Sequence, residues 1–150
     1  MTTIWHVELM SDLEPPKWRS GKPGAWRVEK NLSIHLPDKT FEGLEGDCYC
    51  FTCRHLIVSW GFFWDGSTGV ADTEACAMPS LFHDIVCGAL IQGDLSWWKK
   101  WRLRRKADKW YAVASKFRGM WGLRAKIRFW GLRLCSPVYR LWQKILGGKS

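Results

Sequence analysis

The sequence lacks the features of exported and membrane-spanning chains. Its apolar runs are short, such as residues 85–87, whereas a transmembrane helix needs about 20 consecutive apolar residues. Residues 1–20 carry Glu8, Asp12 and Glu14 and contain no apolar stretch of the kind found in signal peptides. We therefore expect a chain that is neither secreted by a signal peptide nor transmembrane.

Familiar enzyme signatures are also missing. The chain has no G-x-x-x-x-G-K-[ST] phosphate loop, no G-x-G-x-x-G dinucleotide fingerprint and no H-E-x-x-H zinc motif. It has no G-x-S-x-G nucleophile elbow either. The missing motifs argue against the common nucleotide-binding, metalloprotease and α/β-hydrolase classes.

Acidic residues are scarce in the last third of the chain. Residues 95–150 hold 16 Lys or Arg and a single acid, Asp108, whereas residues 1–94 hold 7 Lys or Arg and 13 Asp or Glu. The two parts carry formal charges of −6 and +15, which give the net charge of +9. Such an excess predicts a polyanionic or acidic partner, and the acidic part of a second copy is one candidate.

The six cysteines lack the context of a disulfide framework, because no signal peptide directs the chain to an oxidising compartment. Cys48, Cys50, Cys53 and His55 form a C-x-C-x2-C-x-H segment with the ligand types of a zinc site. A structural zinc site normally needs a second, distant ligand pair. The alternative is a strand in which cysteine packs as a small apolar residue.

Hydrophobic periodicity predicts an α+β fold in a single domain. We expect a small N-terminal antiparallel sheet of three or four strands, followed by three or four helices that pack on it. Alternation and β-branched or aromatic content predict strands at 3–9, 25–36 and 48–64. Helical spacing predicts helices at 72–91, 96–118, 123–134 and 138–146.

Within this single domain of residues 1–150, we divide the chain into three parts. Residues 1–64 are mainly β, residues 65–94 form a turn and a helix, and residues 95–150 form a basic helical region. Pro79 either begins the first helix or kinks it.

Four polar residues are candidates for a shared site. Asp65 follows a predicted strand, His83 and Asp84 are adjacent within an apolar helix, and Asp108 lies beside the apolar seam of the next helix. A buried carboxylate is costly unless it is paired or coordinated, so we expect the four to meet. They could ligate a divalent metal that activates water, or His83 could act as a general base. They could instead form a structural hydrogen-bond network.

Three segments together resemble a family of small tailed-phage and prophage proteins of unknown function. The family pattern is V-P-x-G-F-x-T-D-G-A-S-I-P, then A-A-x-x-H-D-W-L-Y, then A-D-x-x-F-x-x-A-L. The corresponding segments here are VSWGFFWDGSTGV (58–70), ACAMPSLFHDIVCG (75–88) and ADKWYAVASKF (107–117). The residues that match are Gly61, Phe62, Asp65, Gly66, His83, Asp84, Ala107 and Asp108.

The sequence departs from the family at several positions around these motifs. Trp64 and Ser67 replace Thr and Ala, residues 69–70 replace Ile-Pro, and residues 85–87 replace W-L-Y. The resemblance implies a phage-encoded accessory or virion-associated protein, of the tail or neck, that contacts other phage proteins in the virion or the infected cytoplasm. The alternative is a small hydrolase, metal-assisted or of the His/Asp acid–base type, with a divalent metal ion as its candidate cofactor.

The segment WWKKWRLRRK (97–106) interleaves tryptophan with cations and supports a third alternative. Cations can neutralise phosphates while indoles stack on bases, and a basic helix with tryptophan can also lie on an anionic membrane. Otherwise the segment is a solvated face whose Lys and Arg stems cover packed tryptophans. The residues of this candidate nucleic-acid or membrane surface are Trp97, Trp98, Lys99, Lys100, Arg102, Arg104 and Arg105.

Overall fold

The computed structural model describes residues 7–9, 18–20, 26–64 and 74–131, and side chains within 27–64 and 76–131. Within these described ranges eight short strands precede the helices, so the α+β class predicted from the sequence is confirmed. The strands are β1 (Val7–Leu9), β2 (Trp18–Ser20), β3 (Trp26–Val28), β4 (Leu32–His35), β5 (Glu45–Gly46), β6 (Tyr49–Thr52), β7 (His55–Val58) and β8 (Phe63–Trp64). The predicted helix at 138–146, the turn at 65–68 and Cys135 lie outside the described residues.

The strands form two antiparallel sheets instead of the one small sheet that we expected. One has the order β1-β4-β7-β6-β5 and the other the order β2-β3-β8. The predicted strand at 25–36 is interrupted at residues 29–31, and its halves β3 and β4 enter different sheets. Alternation cannot show this break, because each strand is only two to four residues long.

A tight hairpin joins β6 to β7 and fixes the register of the larger sheet. Thr52 pairs with His55, and the two residues between them, Cys53 and Arg54, have φ values of 45° and 65°. Positive φ at both central residues is the mark of a type I′ turn, whose twist suits an antiparallel hairpin. The adjacent β4 places His35 opposite His55, so the two imidazoles face each other across the sheet.

Two long helices follow the sheets and form an antiparallel hairpin. They are α1 (Glu74–Gln92) and α2 (Trp97–Phe117), and the connection at 93–96 is short enough to keep them adjacent. Pro79 lies inside α1 and does not begin it. A further helical stretch, which we label α3, covers residues 122–131, as the periodicity predicted. None of the helices within the described residues is both long and apolar enough to cross a bilayer.

Aromatic side chains connect the larger sheet to both long helices. The ring of Phe82 on α1 lies 5.4 Å from Phe41 and 6.2 Å from Phe51 on the sheet side. It also stacks on Trp110 of α2, with centroids 5.4 Å apart and planes 27° apart. Offset and edge-to-face geometries of this kind add to the free energy gained from burial. Phe82 is therefore the point at which three elements meet.

An ion pair at the rim of this core holds α2 to the loop before β5. Lys106 Nζ lies 3.1 Å from Asp38 Oδ2 and also donates to the Thr40 hydroxyl. Partial burial opposes ionisation of Asp38, but hydrogen bonds from Thr40 and Lys106 outweigh it and lower the pKa of that carboxyl. This contact connects α2 to the loop at the partly exposed rim of the core.

Candidate functional site

His83 and Asp108 form a buried pair between α1 and α2. His83 Nε2 lies 3.0 Å from Asp108 Oδ1, and the two residues are 4% and 3% exposed. His83 on α1 and Asp108 on α2 point inward because each lies among the buried positions of its helix. His83 and Asp108 thus meet as expected from the sequence, and their contact joins helix to helix.

Two further charges complete the surroundings of this pair. Arg104 Nε lies 3.3 Å from Asp108 Oδ1, and Asp84 Oδ1 lies 3.6 Å from His83 Nδ1 at the more exposed edge. Burial disfavours the imidazolium, but the hydrogen bond to Asp108, followed by Asp84 and Cys87, raises the pKa of His83 well above its ordinary value. With His83 protonated, two cations face two carboxylates and the group is charge-balanced. We call these four residues the charge network.

The thiol of Cys87 also contacts the imidazole, one helical turn after His83. Its Sγ lies 3.7 Å from Nδ1 and 3.8 Å from Nε2. Because the sulfur is almost equally far from the two ring nitrogens, it cannot lie along the N–H direction of either one. The thiol and the imidazole are therefore not aligned for the proton transfer that a Cys–His nucleophile requires.

A buried arginine links the network to α3. Arg128 is 4% exposed, and its Nη1 donates to the Tyr111 hydroxyl over 2.9 Å. The Tyr111 ring in turn contacts the His83 ring edge-on, with centroids 5.8 Å apart. Residues from three helices thus form one continuous polar and aromatic contact path, which orients α3 relative to α2.

The charge network has the properties of a structural element more than those of a catalytic centre. A cavity of about 20 Å³ among the described residues is lined by Ile34, Met78, Pro79, Phe82, Ala114 and Arg118, none of which belongs to the network. It has room for about one water molecule. A general base needs a free nitrogen that faces a substrate, whereas Nε2 of His83 contacts Asp108 at 3.0 Å and Nδ1 lies 3.6 Å from Asp84.

The structure brings together only some of the residues of the metal site that we hypothesised at Asp65, His83, Asp84 and Asp108. His83, Asp84 and Asp108 lie together, while Asp65 is outside the described residues. Among the residues that the structure does describe, no three His, Cys, Asp or Glu side chains are arranged to hold a metal ion.

The hypothetical zinc site at Cys48, Cys50, Cys53 and His55 is not assembled in the structure. Cys48 precedes β6 and Cys53 follows it in the hairpin turn, so five extended residue steps, about 16 Å, separate them. The ring nitrogens of His55 already contact other atoms, Nδ1 the Cys53 carbonyl at 2.9 Å and Nε2 the His35 ring at 3.2 Å. Cys48 and Cys53 therefore flank the two ends of β6, and Cys50 lies within that strand.

Three tryptophans are exposed at the start of α2. Trp97, Trp98 and Trp101 are 62%, 65% and 42% exposed, and their rings contact one another at centroid distances between 4.6 and 6.5 Å. The Arg105 guanidinium lies 4.5 Å from the Trp101 ring centroid, a cation–π contact. Together with exposed Arg102 these residues form what we call the tryptophan–arginine surface.

This surface is smaller than the one expected from the sequence of 97–106. Arg104 turns inward to Asp108 and belongs to the charge network. Lys99 is exposed, whereas Lys100 is half-buried. The interpretation of the segment as a solvated face that covers packed tryptophans is wrong, because the three indoles themselves are solvent-exposed.

Several contacts of the site were not predicted from the sequence. The four-residue spacing of Arg104 and Asp108 is a recognised helical ion-pair signal and could have identified that contact. The same spacing relates His83 to Cys87. The pairing of Arg128 with Tyr111 had no such signal, because it depends on how two separate helices pack.

Comparison with known proteins adds no further assignment. No protein-family model matches the chain, and searches of the curated proteins and of the solved structures find no match.

Proposed function

We propose that this chain is a phage-encoded, virion-associated accessory protein that works by binding another phage protein through the tryptophan–arginine surface. The observation that carries the proposal is the cluster of exposed indoles of Trp97, Trp98 and Trp101 beside Arg102 and Arg105. Exposed apolar patches with polar surroundings mark interaction sites, and tryptophan and arginine are the residues most enriched among binding hot spots.

The surface is held rigidly, which lowers the entropy lost on binding. The opposite face of α2 is buried through Leu103 and Ala107 and fixed by Asp108, while Lys106 holds the helix to Asp38. The stacked arrangement of Trp97 and Trp101 further restricts their side chains. A preorganised aromatic patch therefore forms before the partner arrives.

The charge of this region favours a partner with an acidic contact surface. Asp108 is the sole acid of residues 95–150, and it is buried and paired, so no carboxylate of α2 itself compensates the exposed cations Lys99, Arg102 and Arg105. Complementary charge accelerates association and selects among partners. The phage assignment rests on the resemblance of the three sequence segments, and the state of the charge network supports binding over hydrolysis as the activity.

The experiment compares virions that incorporate the wild-type chain with virions made in the presence of variants. We expect Trp98→Ser and Arg105→Ser to lower the amount of chain in gradient-purified particles at least about tenfold, because both remove central contacts. The matched control is Trp60→Ser, which changes a tryptophan that is 64% exposed and lies 5.8 Å from the Arg27 guanidinium, in the β part of the fold.

Two results would contradict the proposal. One is a wild-type chain that is abundant in infected cells and absent from virions. The other is incorporation that falls equally with Trp60→Ser and Trp98→Ser, since a general loss of solubility would then explain the effect. Full-length variants with unchanged far-UV circular dichroism make the comparison valid.

A further inference from the structure

The apolar seam of α3 faces outward. Leu123, Ile127 and Trp130 follow the four-three spacing of one helical face and are 51%, 62% and 55% exposed. On the opposite face, Ala125 is 0% and Arg128 is 4% exposed, and Arg128 is hydrogen-bonded to Tyr111 of α2. The helix therefore packs on the protein through its small and polar side and presents its large apolar side to the surroundings.

Cations accompany this exposed seam. Lys126 is exposed and adjacent in sequence to Ile127, and Lys116 and Arg118 are exposed just before the helix. Trp121, at the start of α3, is 72% exposed. A helix that combines an aliphatic face, tryptophan and flanking lysine or arginine has the composition of segments that lie in the interface of a membrane.

We propose that the outward seam of α3 docks the protein on an anionic lipid surface, with Leu123, Ile127 and Trp130 in the acyl boundary and Lys126 near the headgroups. This inference goes beyond the proposed function and does not depend on it, because it uses a different surface. The tryptophan–arginine surface begins at the opposite end of α2, which is 21 residues or about 30 Å long.

The aliphatic members of the seam favour lipid over nucleic acid. Single-stranded nucleic acid binds to cations and to aromatic rings on which bases stack, and it offers no apolar medium for Leu123 and Ile127. A bilayer interface accommodates all three side chains and tryptophan in particular. The observed side chains therefore match the chemistry of an anionic lipid better than that of a polynucleotide.

The charge distribution disfavours a symmetric dimer through the seam. A symmetric dimer through the seam brings the same surface of each copy together, so Lys126 of each copy meets the cations of the other. Within residues 95–150 the sole acid is Asp108, which is buried and already paired. No acid of this region is thus left to compensate the repulsion, whereas phosphate-bearing lipids supply negative charge directly.

The test measures binding of the full chain to phosphatidylcholine vesicles with and without phosphatidylglycerol, by flotation. We expect binding to the phosphatidylglycerol vesicles, and about tenfold weaker partitioning for Ile127→Ser. Lys126→Gln should weaken binding about fivefold on the anionic vesicles and leave the smaller neutral-vesicle signal unchanged. The matched control is Ile91→Ser, because Ile91 is 69% exposed near the end of α1 and should not affect partitioning.

The proposal is overturned by any of three results. The first is the absence of binding to phosphatidylglycerol vesicles. The second is equal loss of binding in Ile91→Ser and Ile127→Ser. The third is a dimer in analytical ultracentrifugation, or a complex with a single-stranded oligonucleotide, that Ile127→Ser abolishes while vesicle binding is unaffected. Trp98→Ser, scored in purified virions, reports on the proposed function separately.

Discussion

His83 and Asp108, 25 residues apart in the chain, meet through a 3.0 Å contact that joins α1 to α2 in the interior. Asp108 is the single acid in a segment with 16 basic residues, and it is used inside the fold and not on its surface. The charge network therefore organises the helical hairpin, and the helices in turn present the tryptophan–arginine surface and the outward seam of α3.

Removal of both members of the pair should cost less than the sum of the two single removals. We expect His83→Ala to lower the free energy of unfolding by about 3 to 5 kcal/mol, because it leaves the buried carboxylate of Asp108 incompletely compensated. Urea denaturation measures this change. The double variant His83→Ala/Asp108→Ala should be less destabilised than the sum of the two single variants.

The matched control for this cycle is Lys109→Ala, which changes the exposed neighbour of Asp108 and should shift stability by less than about 0.5 kcal/mol. Strict additivity of His83→Ala and Asp108→Ala would contradict a direct interaction between them.

The hydroxyl of Tyr111 should contribute to stability, whereas that of Tyr49 should not. Tyr111→Phe removes the acceptor of a buried arginine and should cost about 1 to 3 kcal/mol. Tyr49→Phe is the matched control, because its buried hydroxyl has no hydrogen-bond partner among the described residues, and its removal should be neutral or stabilising. Thermal unfolding of the two variants gives the comparison, and equal effects would argue against the Arg128–Tyr111 bond.

The ring of Phe82 should be the most costly of the aromatic side chains to remove. Phe82→Ala leaves a cavity between the sheet, α1 and α2, and should lower the unfolding free energy by about 3 to 5 kcal/mol. Phe117→Ala, at a position 54% exposed, is the control and should cost less than about 1 kcal/mol. A loss of similar size in both variants would contradict the packing described.

Stability should fall as the pH rises above neutrality in a way that depends on His83. The pKa of His83 in the fold is well above its ordinary value of 6.5 because of Asp108, Asp84 and Cys87. The stabilising contribution is therefore complete below pH 6.5 and is lost as the pH rises through the folded-state pKa. Thermal melts across this range should show the decline in the wild type and a flatter profile in His83→Gln.

The sequence predicted the fold class and the helices because their signals are local. Four-three spacing identified α2 and α3, and the isolated acid at 108 identified one half of the buried pair. The same spacing could not show that Leu123, Ile127 and Trp130 face outward, since a periodic stripe does not say which side of a helix has a partner. The alternation of apolar and polar residues gave no sign of the break at 29–31, because β3 and β4 on either side are too short to show that pattern.

The most direct test of the account is the NMR titration of His83, assigned by comparison with His83→Gln. If Asp108 holds this imidazole as a structural cation, the ring stays protonated well above pH 6.5 while the hairpin remains folded. A ring that titrates at or below pH 6.5, with a free nitrogen at neutral pH, would contradict the account and make His83 available as a base or a metal ligand.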